Sequence, residues 1–479
     1  MKLYNTLTRK IEDFKVENKQ VKMYACGPTV YSFPHVGNYR TFFLSDQLRR
    51  WLKYQGYDVF MAMNITDIDD KTIRDSAQEK MELKEFTQRY TAEFFKGCEI
   101  LNIEPADIHP LATDHVPEMI KLIEILEEKG LAYEKDGSVY YSIEKFFGYG
   151  KLANLKMENL QIGASVDVDE YDKDNPADFV LWKAATEEEI NRGIYWETKW
   201  GKGRPGWHLE CSVMSQKYLG ETFDIHIGGI DLIFPHHENE IAQSEGATGK
   251  QFVRYWVHGA HLISEGKKMA KSLGNYFTLS DLIERFDPNT IRLFFLNSNY
   301  RDTLNYTEDN IQQIDHQRNK IQITLDDLKS EIIKKNLNST CIFGEHDKKA
   351  REEVKEYINA IENAMNNDLN MPLAMQNINN IIRSINSYLQ ASELNYSTVL
   401  YLYRKLREIL DVFGLFPEKS GGKYEDSFVE QIVQAVIDIR TDLRKEKQWQ
   451  LSDKIRDVLK ENGIELKDVK EGTRWRKVD

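Results

Sequence analysis

The sequence has few cysteines, and their spacing argues against a disulfide framework. Its 479 residues contain four, Cys26, Cys98, Cys211 and Cys341, none of them in a CxxC pair. The chain also lacks an apolar run near the ~20 residues that a membrane span needs, and its N-terminus has no signal-peptide core. We therefore expect a cytoplasmic protein with no membrane partner.

An excess of positive charge is missing as well. The formal net charge is -13, which argues against a surface coated with positive charge for non-specific nucleic-acid binding but allows a local basic surface. Hydrophobic residues make up 41% of the chain and charged residues 29%, as in ordinary globular proteins. The length exceeds what one hydrophobic core fills and predicts roughly three domains.

The stretch from Cys26 to Asn38 lies between a predicted strand at residues 21–25 and a predicted helix at residues 39–54. A strand, a Gly/Pro turn and a helix form the first half of a nucleotide-binding βα unit. The N-terminus of such a helix offers free N–H groups to phosphate. The pattern predicts an α/β fold with a parallel sheet and places Cys26, His35 and Asn38 at the mouth of one pocket.

Other segments of the chain fit the same fold. Hydrophobic patterning predicts further strands at 58–64, 223–227 and 253–263, and a hairpin at 132–141 with an Asp-Gly turn. Beyond residue 281 the pattern is helical, and it predicts a bundle from the segments 320–337, 350–365, 371–389 and 397–413.

A proline at position 235 is predicted to begin a helix that carries His236 and Glu240 on one face, because residues four apart are neighbours. His237 is then rotated about 100° away from His236. A histidine and a carboxylate at this spacing can bind a metal ion. A lone pair of this kind is more often a helix-start histidine beside an acid.

Two cysteines change that balance. Cys211 comes just before the strand that leads to His236, and Cys26 follows another predicted strand. Together with His236 and Glu240 they would complete a Cys₂HisGlu set, which suits tetrahedral Zn²⁺.

The glycine-bounded stretch 266–275 carries Lys268 and Lys271. Their side chains could reach the phosphates of a nucleotide and steady the charge that develops as pyrophosphate leaves. Taken alone, the stretch is more typical of an ordinary basic surface loop.

The combination of these motifs resembles the class I aminoacyl-tRNA synthetases. His-Val-Gly-Asn at 35–38 and Lys-Met-Ala-Lys-Ser at 268–272 are similar to the two signatures of that class. The resemblance narrows to the cysteinyl-tRNA synthetase family and runs in order along essentially the whole chain. The stretches that narrow it are 26–31, 64–71, 203–212 and 234–240.

The resemblance implies one zinc ion per chain, held by Cys26, Cys211, His236 and Glu240, with the substrate thiolate bound directly to the metal. Serine's harder and less acidic hydroxyl is a poor substitute for a thiolate, so serine would be rejected without an editing domain. By the same resemblance the amino-acid pocket is lined by Gly27, Thr66, Trp207, His226 and Asp231.

The implied reaction is ATP-dependent ligation of L-cysteine to tRNA(Cys) through a cysteinyl-adenylate, with transfer to the 2′-hydroxyl of the terminal adenosine. The implied catalytic residues are His35, Asn38, Lys268 and Lys271, and ATP, accompanied by Mg²⁺, would be bound by these four together with Gly37 and Ser272. Two positions depart from the family pattern. Asn38 stands where many relatives have histidine, and Ala270 replaces serine. An amide still donates to phosphate but is no general acid.

The resemblance also assigns roles along the chain. We expect a Rossmann-like catalytic domain at 1–280 with an insertion at about 105–200, a region contacting the tRNA stem at 281–315, a helical bundle at 316–419, and a small C-terminal anticodon-binding domain at 420–479. In the last domain, basic residues interleaved with Trp475 suit RNA, whose bases stack on aromatic faces. Arg474 and Trp475 are the expected anticodon contacts, and we expect a monomer.

Two other interpretations stay open. A tRNA-independent cysteine ligase of the mycothiol-pathway type resembles the catalytic domain but would not need the bundle or the basic tail after Gly421. A non-catalytic tRNA- or metal-binding protein that kept the fold is disfavoured by the intact His35, Lys268 and Lys271. A methionine-type synthetase is disfavoured because the insertion lacks a CxxC zinc knuckle.

Overall fold

The computed structural model describes residues 1–155, 178–268, 277–333 and 343–417, and beyond these 436–438, 440–441, 443–445, 447–461, 464–469 and 472–477. The chain divides into two units, Met1–Phe416 and Pro417–Asp479. Among the described residues, no helix has the length and apolar character to cross a membrane. Lys271 and Ser272 lie outside the described residues, and only the backbone is described for Lys268, Arg474 and Trp475.

Strands and helices alternate through the first unit. The strands are β1 (Lys2–Asn5), β2 (Lys10–Asp13), β3 (Gln20–Ala25), β4 (Asp58–Met63), β5 (Ala132–Lys135), β6 (Ser138–Tyr141), β7 (Phe179–Ala184), β8 (Trp196–Thr198), β9 (Gly201–Pro205), β10 (Phe223–Gly229), β11 (Val253–Gly259), β12 (Leu262–Ser264), β13 (Lys267–Lys268) and β14 (Leu304–Tyr306). The helices up to the bundle are α1 (Val36–Tyr54), α2 (Asp70–Gln78), α3 (Leu83–Ile100), α4 (Val116–Glu128), α5 (Glu187–Asn191), α6 (Trp207–Leu219), α7 (Glu238–Thr248), α8 (Leu279–Ile283) and α9 (Pro288–Leu296).

A four-stranded parallel sheet in the order β11-β10-β3-β4 positions the site. Met23 in β3 pairs with Ile225 in β10 and with Met61 in β4, and all three side chains are buried. Because the strands are parallel, their carboxyl ends meet at one edge, where ligands bind in such folds. The predicted α/β class with a parallel sheet is confirmed.

The predicted single strand at 253–263 is wrong. The chain turns at Ala260 and His261, so β11 stays in the parallel sheet, while β12 pairs with β13 and β14 in a separate three-stranded sheet. Across this break the carbonyl groups of Ala260 and His261 both accept hydrogen bonds from Arg40, and that of His261 also accepts one from the N–H of Leu304.

Helix α1 follows the first turn and buries the apolar face predicted for it, including Leu48 and Trp51. It begins at Val36 rather than at residue 39, because His35 and Asn38 cap its first turn. The predicted hairpin at 132–141 is also confirmed. Asp136 and Gly137 have φ values of 53° and 79°, as a tight hairpin turn requires. The hairpin belongs to a five-stranded antiparallel sheet in the order β5-β6-β7-β9-β8.

The bundle consists of α10 (Glu308–Ile333), α11 (Glu345–Met365), α12 (Met371–Leu389) and α13 (Tyr396–Val412). Its first helix starts well before the predicted residue 320. The bundle and α1 share one hydrophobic core that contains Leu48, Leu293 and Ile378, so the parallel sheet and the bundle are packed together.

The second unit contains helix α14 (Trp449–Glu461) and an antiparallel hairpin of β15 (Ile464–Val469) and β16 (Gly472–Lys477). Arg474 pairs with Lys467 and Trp475 with Leu466 in this hairpin.

Candidate active site and metal centre

Four donor groups meet at the carboxyl edge of the parallel sheet. They come from Cys26 after β3, Cys211 in α6, His236 before α7 and Glu240 within α7, and their donor atoms all lie within 4.8 Å of one another. The two sulfur atoms are 3.8 Å apart, and His236 Nε2 is 3.1 Å from Glu240 Oε1. All four residues are buried. The four metal ligands suggested by the sequence are thus brought together by the fold.

The cluster fits a divalent metal ion of the zinc type. Ligand atoms bound tetrahedrally at about 2.0–2.3 Å lie roughly 3.3–3.8 Å from one another, which is close to the spacing seen here. Burial raises the pKa of Cys26, Cys211 and Glu240 and lowers the pKa of His236, so the charged forms are disfavoured in this site. A bound cation would offset that cost, because it favours thiolate and carboxylate.

A chain of hydrogen bonds holds the three elements around the cluster in place. The N–H of Gly27 donates to Asn64 Oδ1 at 2.9 Å, and Asn64 Nδ2 donates to Thr66 Oγ1 at 3.1 Å. The Thr66 hydroxyl in turn donates to Glu210 Oε2 at 2.7 Å. A Cβ atom on Gly27 would lie 1.6 Å from the Asn64 carbonyl oxygen, so only glycine fits after Cys26. These hydrogen bonds therefore join the ends of β3 and β4 to α6.

His237 was expected to point away from the metal ligands, and this expectation is wrong. Its Nε2 lies 3.3 Å from Cys26 Sγ and 3.9 Å from Glu240 Oε1. Residues three apart on a helix are also neighbours, which the four-residue spacing considered for His236 did not take into account. In addition, residues 233–237 form a wide π-type turn and the regular helix begins only at Glu238, not at the proline.

Further histidines support these rings. His208 Nδ1 lies 2.9 Å from His236 Nδ1, and His258 Nε2 lies 2.8 Å from His237 Nδ1. Burial lowers the pKa of His208 and of His258 to about 3, so both rings are neutral at pH 7. Second partners of this kind fix the orientation of metal-binding imidazoles. The sequence did not single out either residue, although His208 lies within the stretch 203–212 that carried the resemblance.

The residues predicted for the amino-acid pocket surround the cluster. The Trp207 ring stacks on His236 with centroids 4.1 Å apart, and His226 Nε2 lies 2.8 Å from Glu240 Oε2. Thr66 and Gly27 belong to the hydrogen-bonded chain beside Cys26. These four residues therefore lie beside the candidate metal ligands, at what we call the metal end of the site.

Asp231 is exposed, and its charge acts on groups of the site. Burial lowers the pKa of His35, and the charge of Asp231 partly offsets that effect. The same carboxylate adds to the rise in the pKa of Cys26, which is caused mainly by burial. Asp231 is thus within electrostatic reach of both the metal end and the start of α1.

The other end of the site is the capped start of α1. The N–H of Asn38 donates to His35 Nδ1 at 3.3 Å, and the N–H of His35 donates to Asn38 Oδ1 at 3.0 Å. Because Nδ1 accepts, the proton of the neutral imidazole is on Nε2. A Cβ atom on Gly37 would lie 2.9 Å from Cε1 and Nδ1 of His35, so glycine leaves room for the ring.

Described residues on either side of the second signature show where the chain enters and leaves it. Lys268 pairs through its backbone with Ile263, which places β13 next to β12. On the far side of that signature, the Phe277 carbonyl accepts a hydrogen bond from the N–H of Val36 at 3.3 Å.

Comparisons with known proteins agree with this geometry. The family model described as "tRNA synthetases class I (C) catalytic domain" matches residues 13–316, and the "DALR domain" model matches residues 360–417. The fold is similar to that of Mycobacterium tuberculosis methionyl-tRNA synthetase in complex with methionyl-adenylate, with a TM-score of 0.56 at 15% identity over 82% of this chain and 89% of that one. It is also similar to Agrobacterium radiobacter LeuRS in a ternary complex, with a TM-score of 0.59 at 12% identity over 84% of each chain. The first unit therefore has the catalytic fold of a class I aminoacyl-tRNA synthetase.

Curated relatives narrow the class. The chain is 49% identical over 478 residues to the cysteine–tRNA ligase of Methanosarcina mazei, covering 100% of this chain and 99% of the relative. It is 43% identical over 480 residues to that of Desulfitobacterium hafniense, covering 99% of each, and 41% identical over 487 residues to that of Thermococcus gammatolerans, covering 100% and 99%. The chain belongs to the cysteine–tRNA ligase family. These full-length matches favour a tRNA ligase over a tRNA-independent cysteine ligase.

Proposed function

We propose that the chain ligates L-cysteine to tRNA(Cys) in two steps. In the first, the cysteine carboxylate attacks the α-phosphorus of ATP, an oxygen–phosphorus bond forms, and pyrophosphate leaves. In the second, the 2′-hydroxyl of the terminal adenosine attacks the carbonyl carbon of cysteinyl-adenylate, and AMP leaves. One observation carries the proposal, namely that a single turn, from Cys26 to Asn38, joins a buried thiol-rich cluster to a capped helix N-terminus.

The start of α1 serves the phosphates. The positive end of the helix dipole attracts anions. The Nε2–H of His35 and the amide of Asn38 donate to the phosphate oxygens as charge develops on them. Gly37 keeps space for the imidazole beside this turn. Lys268 and Lys271, assigned from the sequence, clamp the leaving pyrophosphate together with Ser272, and Mg²⁺ accompanies ATP.

The metal end selects the amino acid. Cys26, Cys211, His236 and Glu240 would hold Zn²⁺, whose chemistry is to prefer a thiolate ligand over a hydroxyl. Around it, Trp207 closes the cluster on one side by stacking on His236. The pocket is completed by Gly27, Thr66, His226 and Asp231. The difference in ligand softness is what rejects serine, so no editing site is required.

The remaining parts of the chain bind the tRNA. Residues 281–315 contact the acceptor stem, and the domain at 420–479 reads the anticodon. The bundle at 316–419 lies between these two regions in the sequence. Arg474 and Trp475 on β16 supply a cation for phosphate and an aromatic face for base stacking. The enzyme works as a monomer in the cytoplasm.

Transfer of labelled cysteine tests the proposal. The protein is incubated with ATP and cysteine, and either tRNA(Cys) or a glucosaminyl acceptor is offered. Label is expected on the tRNA alone, together with cysteine-dependent exchange of pyrophosphate into ATP. Label on the amino sugar would establish the tRNA-independent ligase, and the absence of exchange would establish a non-catalytic binding protein.

A further inference from the structure

Arg40 holds an unusual position in α1. Its side chain is buried, with 5% of the residue exposed, and lies one and a half turns after His35. Nη1 donates to the carbonyl oxygens of Ala260 at 2.7 Å and His261 at 2.6 Å. Nη2 donates to those of Asn299 at 3.1 Å and Asp302 at 2.7 Å. Among the described residues, no carboxylate forms an ion pair with this guanidinium.

These four carbonyl groups belong to two connections that enter the same small sheet. Residues 260–261 lead from β11 into β12, and residues 299–302 lead from α9 into β14. Strand β12 lies between β13 and β14, and β13 carries Lys268, the first lysine of the second signature. One side chain of α1 therefore holds both connections to the strands beside the second signature.

The start of α1 contacts the other side of the second signature as well. The N–H of Val36 donates to the Phe277 carbonyl at 3.3 Å, and His35 forms an antiparallel bridge with Thr278. The same helix that presents His35 and Asn38 thus binds the chain before residue 268 and after residue 276. Nη2 of Arg40 also donates to Ser298 Oγ at 3.4 Å. The planar guanidinium therefore reaches five acceptors at fixed angles, which an ammonium group of lysine does not reproduce.

We infer that Arg40 is a positioning residue for adenylate formation, which fixes the distance between the first turn of α1 and the β12–β13 strand pair. It touches neither ATP nor cysteine. The inference rests on the proposed function and adds a residue to it. In-line attack depends on the relative placement of the phosphate-binding groups, and a displacement of about 1 Å can cost on the order of 100-fold in rate.

The test compares Arg40→Met and Arg40→Lys with the wild type in cysteine-dependent ATP–pyrophosphate exchange. Arg40→Met is expected to lower kcat/KM for ATP by roughly 10-fold to 100-fold, whereas the KM for cysteine and the zinc content stay unchanged. The kcat/KM for ATP of Arg40→Lys is expected to lie between those of the wild type and Arg40→Met. In Arg40→Ala, added methylguanidinium is expected to restore part of kcat, because the ion can occupy the four-carbonyl site.

Arg292 supplies a matched control. It is also buried, with 1% exposed, and donates to the carbonyl groups of Phe413, Leu101 and Asn102. It also pairs with Asp46 in the later part of α1, but its partners belong to neither of the connections at 260–261 and 299–302. Arg292→Lys is expected to lower the Tm without changing the KM for ATP. If Arg40→Met lowered the Tm alone and left kcat/KM for ATP intact, the inference would be overturned while the proposed function stood. A wild type without exchange would overturn both.

Discussion

His35 and Asn38 are joined by two reciprocal hydrogen bonds at the start of α1, from the Asn38 N–H to the imidazole and from the His35 N–H to the carboxamide. Asn38 therefore stabilises the first turn of the helix through its oxygen. No described residue accepts a hydrogen bond from its Nδ2. Asn38 thus caps the helix through its oxygen, and we propose that its amide group donates to phosphate.

Substitutions of Asn38 separate these two tasks. Asn38→Asp keeps the capping oxygen and favours the helix N-terminus, but it places a negative charge beside the phosphates. We expect unchanged stability and a fall in kcat/KM for ATP. Asn38→Ala removes both the capping oxygen and the amide donor, so we expect a loss of about 0.5–2 kcal/mol in stability as well as a fall in kcat/KM for ATP. Thermal unfolding and exchange kinetics measure the two effects. Full activity in Asn38→Asp would exclude the phosphate contact.

Gly37→Ala tests whether activity depends on the present position of the His35 ring. The added Cβ would lie 2.9 Å from two ring atoms, so the imidazole must move. We expect kcat for exchange to fall by roughly 10-fold or more, with the zinc content unchanged. Gly130→Ala is the control. Gly130 has a φ of 70° with no heavy atom near the new Cβ, so that variant should lose about 1 kcal/mol of stability but no activity.

His236 and His237 both reach the cluster, and metal binding tells them apart. We assign the ligand role to His236 and a supporting role to His237. His237→Ala is then expected to weaken zinc binding by about 10-fold to 100-fold, as loss of a supporting partner does, and His236→Ala is expected to weaken it further. Competition with a chelator measures both affinities. The reverse order would show that the ion is held by the alternative set of Cys26, His226, His237 and Glu240, whose donor atoms also lie within 4.8 Å of one another.

The pH dependence of the first step reports on His35. Burial lowers the pKa of His35 below its ordinary value of 6.5, so the ring is neutral at pH 7. As pH falls through this lowered pKa, Nδ1 gains a proton and loses the hydrogen bond from Asn38. We therefore expect kcat/KM for ATP to decline only below pH 6.5. Asp231→Asn removes a charge that raises the pKa of His35, so the decline should shift to lower pH. A shift to higher pH would contradict the assignment.

Local patterns in the sequence were sufficient for much of the fold. Strand β3, helix α1 and the Asp136-Gly137 hairpin follow from apolar periodicity and turn chemistry, which act over a few residues. The break after β11 did not follow, because the carbonyl groups of Ala260 and His261 bind Arg40, more than 200 residues earlier in the chain, and that of His261 also binds Leu304.

The site shows the same limit. Cys26, Cys211, His236 and Glu240 could be proposed because they lie near the ends of predicted elements and their ligand chemistry is specific. The supporting contacts of Asn64 and His258 could not be proposed, since an amide or imidazole at a strand end has no spacing that identifies its partner. Side chains that act through three-dimensional contacts alone require the structure.

The most direct test of the account is amino-acid-dependent ATP–pyrophosphate exchange with cysteine and with serine, measured on zinc-loaded protein, metal-free protein and protein to which zinc has been restored. We expect exchange with cysteine to fall when zinc is removed and to return when zinc is restored. The preference for cysteine over serine should be lost and regained in the same way. Metal-free protein that kept both its rate and its preference would contradict zinc-based selection of the substrate thiol.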